Sequence, residues 1–242
     1  MKNKILLNTL AVAMVAVCFA GCSNAPVEES DTGIKSSDIE SSISAESSVT
    51  EAESSVATEV QAEKDVLDAA KAYGMTQVGD HQEMINLWGG FDSASVYYIA
   101  KDSDEATSMY SSIFNLDGKS FPDVKVNELV MCIDKNAAES NGRSTTSEIY
   151  RITLADDASA QELCDAFSQK KDSYEYSSGT ANGYTYTIGY YESANGCVAV
   201  GTFMKDDVVI RMLSIGDYDA ADACIGFFCK ELGFESPLSL KK

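Results

Sequence analysis

The sequence predicts an α+β fold, a two-layer sandwich whose mostly antiparallel sheet carries helices packed on one face. Three observations predict it. Segments 95–114 and 148–167 each read as a strand followed by an acidic cap and an amphipathic helix. Segments 184–191, 196–204 and 208–215 have strand composition and are joined by short turns at 193–196 and 205–207, so they form an antiparallel meander. Strands mixed with a few helices through tight connections belong to the α+β class.

Each element follows from local chemistry. Thr58-Glu59-Val60-Gln61 has capping-box spacing; Val66, Leu67, Ala70 and Tyr73 follow at helical intervals, and Gly74 suits the stop. "SVYYIAKDSDEATSMYSSIF" can be laid over "EIYRITLADDASAQELCDAF" without a gap, matching Tyr97 to Tyr150, Ile99 to Ile152, Asp104 to Asp157 and Phe114 to Phe167. A further strand is expected at 124–133. Within 184–191, alternation puts Tyr184, Tyr186, Ile188 and Tyr190 on one face and Thr185, Thr187 and Tyr191 on the other. The last helix opens at Asp219-Ala-Ala-Asp222, carries Ile225, Phe228 and Leu232, and closes at Gly233.

Ahead of this domain, which spans 58–242, lie two segments of different character. Lys2 and Lys4 precede an apolar run over 5–20 broken only by Asn8 and Thr9. Sixteen helical residues reach roughly 24 Å, short of a ~30 Å hydrocarbon core, so the run reads as a secretory signal over 1–21. The site Phe19-Ala20-Gly21-Cys22 resembles the lipobox of bacterial lipoproteins, with Phe19 where that family usually has leucine. The resemblance, to lipid-anchored lipoproteins of Gram-positive bacteria, implies that Cys22 is lipidated and becomes the first mature residue. It also implies a place on the extracytoplasmic face of the cell membrane. Residues 23–57, rich in Ser, Glu, Asp, Ala and Thr without an aromatic ring, cannot bury enough apolar surface to order themselves. With Cys22 they form an acidic tether (22–57) whose ends lie about 30–35 Å apart as a flexible coil.

Charge and cysteine content restrict the chemistry. The formal charge is −20, and loss of Lys2 and Lys4 with the signal makes it −22. Such a surface repels phosphate backbones and anionic head groups, which argues against nucleic acid and leaves the lipid as the membrane contact. The five remaining cysteines, Cys132, Cys164, Cys197, Cys224 and Cys229, have no CxxC pair and no disulfide-framework spacing, so they read as buried apolar residues. One exported disulfide among them is the other reading.

Catalytic and metal constellations are not evident, and no cofactor or metal is expected. His81 is the single histidine and reads as a loop residue beside Asp80. Gly118-Lys119-Ser120 lacks the upstream glycine of a phosphate loop. The acidic groups Asp102, Asp104 and Glu105; Asp156 and Asp157; and Asp217, Asp219 and Asp222 fall at helix starts, where they cap backbone N–H groups. Asp206 and Asp207 fall in a hairpin turn. Aromatic residues offer the candidate contacts for a partner: Tyr184, Tyr186 and Tyr190 in one row, and Trp88 and Phe91 flanking Gly89-Gly90. For those tyrosines the alternative is a core face covered by helices, and for Trp88 and Phe91 a plug at the domain edge. The resulting expectation is a non-catalytic binding domain for an exported protein, peptide or cell-envelope glycan. The alternatives are an envelope enzyme working through paired carboxylates and an ion or small-molecule receptor.

Overall fold

A computed structural model describes residues 65–90, 92–115, 121–136 and 144–242. The signal, Cys22, the tether, the capping box at 58–61, Phe91 and Gly118-Lys119-Ser120 lie outside the described residues. The elements run α1 (Val66–Tyr73), β1 (Thr76–Gln77), α2 (His81–Gly89), β2 (Ala94–Ala100), α3 (Ser103–Phe114), β3 (Val126–Asn136) and β4 (Thr145–Leu154). They continue with α4 (Asp157–Phe167), β5 (Glu175–Ala181), β6 (Tyr184–Ser193), β7 (Gly196–Lys205) and β8 (Val208–Gly216). A helical stretch then holds α5 (Tyr218–Ala221), a π turn (Asp222–Gly226) and α6 (Phe227–Leu232), followed by a 3-10 turn at Pro237–Leu240.

One eight-stranded sheet of order β1-β2-β3-β4-β8-β7-β6-β5 organises the described residues. Only β1 and β2 are parallel; every other neighbouring pair is antiparallel. The meander predicted for the last three strands is present and is preceded by β5, an edge strand too polar to be read as one from "EYSSGTA". The α+β class therefore holds, while the layering differs. Successive residues of the central strands enter two separate cores, Val130, Cys132, Ile149, Ile210 and Met212 on one face and Leu129, Met131, Ile133, Tyr150 and Ile152 on the other. The first core is closed by α1, α5, the π turn and α6; the second by α2, α3 and α4. Helices thus lie on both faces, because β3, β4 and β8 are apolar on both sides and each side needs a cover.

Helix boundaries follow their caps. Asp80, Asp102, Asp156 and Asp217 each accept backbone N–H bonds from the second or third residue of a helix, as with Asp156 Oδ1 from Ser159 N at 2.8 Å. Gly74 and Gly233 adopt left-handed φ of 91° and 67° and close α1 and α6. His81 is the first residue of α2, not a loop residue, and its ring stacks on Tyr98 at 6.4 Å.

The two strand–helix units repeat, one residue away from the gapless identity match. Asp102 and Asp156 are both caps, and Ala106, Met109 and Ile113 are buried as Ala160, Leu163 and Phe167 are. That pairing is offset by 54 positions, not 53. In the 53 offset Tyr97 would match Tyr150, yet these rings belong to opposite cores. The period-2 phase of a strand is lost by a one-residue slip, so burial and not identity sets the correspondence.

All five domain cysteines are free thiols. Cys132, Cys197, Cys224 and Cys229 share the first core, and burial pushes each thiol above its ordinary range.

Candidate binding surface

On the face covered by α2, α3 and α4 the cover stops partway across the sheet. Below the ends of α4 and α2, two cross-strand rows carry side chains that belong to neither core. The first runs Glu148 (β4), Leu213 (β8), Val200 (β7), Gly189 (β6) and Tyr176 (β5). The second runs Thr146, Ile215, Val198 and Tyr191, with Tyr174 stacked on Tyr191 at 5.4 Å. Leu213, Val200, Val198, Tyr191 and Tyr176 are half-buried, and Ile215 is 38% exposed, the one large apolar residue in the exposed class among the described residues. Five strands about 4.8 Å apart and rows about 7 Å apart make a strip of roughly 19 by 7 Å.

Aromatic clusters bound both ends. At the β4 end, Trp88 Nε1 donates to Glu148 Oε1 at 3.0 Å and the Tyr150 hydroxyl donates to Glu148 Oε2 at 2.7 Å. Lys135 Nζ donates to the carbonyls of Leu87 (2.9 Å), Trp88 and Gly90 (3.0 Å), so a cation closes the C-terminal end of α2. Burial raises the proton affinity of Glu148, opposed by the bonds from Tyr150 and Trp88 and by the charges of Lys135 and Arg211. At the β5 end, Tyr174 stacks on both Tyr176 (5.8 Å) and Tyr191. Lys170 and Lys171 lie 5.7 and 5.8 Å from the rings of Tyr176 and Tyr174. The Tyr176 ring occupies the space over Gly189, where a Cβ would come within 2.6 Å of Cε1.

Arg211 marks the border between covered and open face. It sits on β8 opposite Tyr150 and Thr202, with Nη1 donating to Thr202 Oγ1 (2.8 Å) and the Phe167 carbonyl (3.2 Å). Its guanidinium lies 5.3 Å from the Phe167 ring. Burial lowers its pKa to about 10.

The sequence-predicted contacts separate here. Trp88 stands at the strip, held by Glu148. Tyr184, Tyr186 and Tyr190 share a face as expected, but it is the opposite one. Tyr190 is 4% exposed, and Tyr184 and Tyr186 pack on the first core through Phe234 and Phe203 at 5.0 and 5.9 Å. Sequence pattern alone does not single out Tyr174, Tyr176 or Arg211 as contacts, and it places Tyr191 on the face away from Tyr190. The available signal was an arginine inside the apolar run "VVIRMLSIG". Among the described residues no three His, Cys, Asp or Glu side chains are grouped to hold a metal, and no helix is long and apolar enough to cross a membrane. Compared with known proteins, the chain matches no family model, no curated sequence and no solved structure.

Proposed function

We propose that this chain is a lipid-anchored lipoprotein on the extracytoplasmic face of the membrane. Its domain is a non-catalytic module that binds an exported protein, peptide or envelope component. The anchor reading is supported by the lipobox-like Phe19-Ala20-Gly21-Cys22, and the binding reading by one observation in particular: the partly exposed apolar strip Leu213, Ile215, Val198, Val200 and Tyr191 beyond the helices that cover the second core. A strip of roughly 19 by 7 Å is smaller than a protein–protein patch and matches one short extended segment with apolar side chains. Trp88 remains a contact at its edge, and the tyrosine contacts move from Tyr184, Tyr186 and Tyr190 to Tyr174, Tyr176 and Tyr191.

Both oxygens of Glu148 are held by Trp88 and Tyr150, an arrangement that suits a fixed wall better than one of two facing catalytic acids. The test is a photo-crosslinking amino acid placed at 215 or at the exposed α4 position 161 in intact cells. Adducts specific to 215 are expected; equal labelling at both positions, or none, overturns the reading. For the anchor, mass spectrometry of membrane fractions is expected to find acyl chains on Cys22 and no processed Cys22→Ser chain. An unmodified Cys22 there overturns it.

A further inference from the structure

Resting on that reading, we propose that Arg211 is the anchor for a carboxylate of the partner, and that the strip takes an acidic peptide segment with apolar side chains between its acids. Three observations carry this. Among the described residues Arg211 has no carboxylate within ion-pair distance: its hydrogen bonds use Nη1 alone, toward a hydroxyl and a carbonyl. Enclosed cations are ordinarily paired, because the lost hydration must be compensated.

Its guanidinium lies 5.3 Å from the Phe167 ring, and Tyr150 stands opposite it on the neighbouring strand. A guanidinium with unused N–H groups presents a fork that matches a carboxylate in two places. Lastly, cations gather where the chain as a whole is strongly acidic. Lys170 and Lys171 stand over the tyrosines at the β5 end of the strip, and Glu148, on the strand beside Arg211 and within reach of its charge, has both oxygens engaged by Trp88 and Tyr150. Against a formal chain charge of −20, Arg211, Lys170 and Lys171 are the cations an acidic segment meets along the strip.

The floor favours a peptide over a sugar chain. Val198, Val200, Leu213 and Ile215 are aliphatic, complementary to apolar side chains, whereas sugars stack on ring faces, and the rings of Tyr174, Tyr176 and Tyr191 already stack on one another.

The experiment titrates the full mature chain and reads fluorescence of its single tryptophan, Trp88. The probes are acetyl-Leu-Glu-Val-Glu-Leu-Glu-amide, its glutamine counterpart and a poly(glycerol phosphate) polymer. The glutamate peptide is expected to bind at least ten-fold tighter than the glutamine peptide. Sodium acetate is expected to compete, and Arg211→Met to erase the ratio while thermal unfolding confirms the fold. Should Arg211→Met fail to fold, the acetate and glutamate-versus-glutamine comparisons on the unaltered chain still decide. Equal binding of both peptides, abolished by Ile215→Glu, overturns the carboxylate anchor and leaves the binding strip standing. No binding of either peptide, or binding that Ile215→Glu leaves unchanged, overturns strip and anchor together. Preference for poly(glycerol phosphate) overturns the peptide assignment.

Discussion

Arg151 and Arg211 occupy adjacent rungs of one ladder and face opposite sides of the sheet, Arg151 opposite Ile210 and Arg211 opposite Tyr150. Arg151 is paired twice, with Asp65 at 2.7 Å and with Glu128. Asp65 is the N-cap position of α1, so this network ties the first helix to the sheet. Arg211 has a hydroxyl, a carbonyl and rings, but no acid. The same residue type thus serves an ion-paired network on one face, where among the described residues only Nε of Arg151 is left without a partner, and a hydroxyl and a carbonyl on the other. On the covered face the start of α1 and strand β3 each bring Arg151 a carboxylate; at the edge of the α4 cover none of the described residues brings one within ion-pair distance of Arg211.

Substitutions can break this contrast in graded steps. The largest effect is expected from Arg151→Ala, which strands two carboxylates; since all three side chains are partly exposed, the cost is about 2–3 kcal/mol, seen as a melting point lower by roughly 5–10 °C. Arg211→Met removes a charge that burial disfavours and is expected to change stability by less than about 1 kcal/mol. If the two variants lose equal stability, the contrast between them fails.

Gly189→Ala falls between those two, forcing the Tyr176 ring off its seat; about 1–2 kcal/mol is expected, with weaker binding at the strip. Glu148→Gln sharpens the picture through pH. The folded state holds the Glu148 proton more tightly than the unfolded chain, so this group favours folding at low pH and that contribution is lost as pH rises through its folded pKa. The gain in melting point from Glu148→Gln is therefore expected to be largest near neutral pH and to vanish as pH falls toward about 4.3. A gain that grows on acidification would reverse the assignment. Smallest of all, Ile215→Ser is expected to leave stability within about 0.5 kcal/mol.

What was legible in the sequence was what local chemistry decides. Acidic caps, glycine stops, the strand–helix units and the meander turns each announce themselves within a few residues. The face of a strand relative to its cover is not local. Tyr184, Tyr186 and Tyr190 were correctly placed on one side of β6, but which side the C-terminal helices and Phe234 would close depends on residues some 40 positions onward. Tyr174 and Tyr176 precede or begin a strand whose composition, Ser, Gly and Thr, gives it no strand signature of its own; pairing with β6 makes it one. Apolar alternation was equally silent about layers: β8 is apolar on both faces, and only the second core shows that each was meant to be covered.

The strand order also sets a timetable. β8, formed from residues 208–216, lies between β4 and β7 in the middle of the sheet. β2 to β4 and β5 to β7 can each pair with sequence neighbours as soon as they are made, yet the two halves have no shared ladder until the penultimate stretch of the chain arrives. A chain delivered N-terminus first therefore waits with two unsatisfied strand edges, on β4 and β7. Its closing move is the insertion of one strand between them, locked by the helical residues 218–232 that follow.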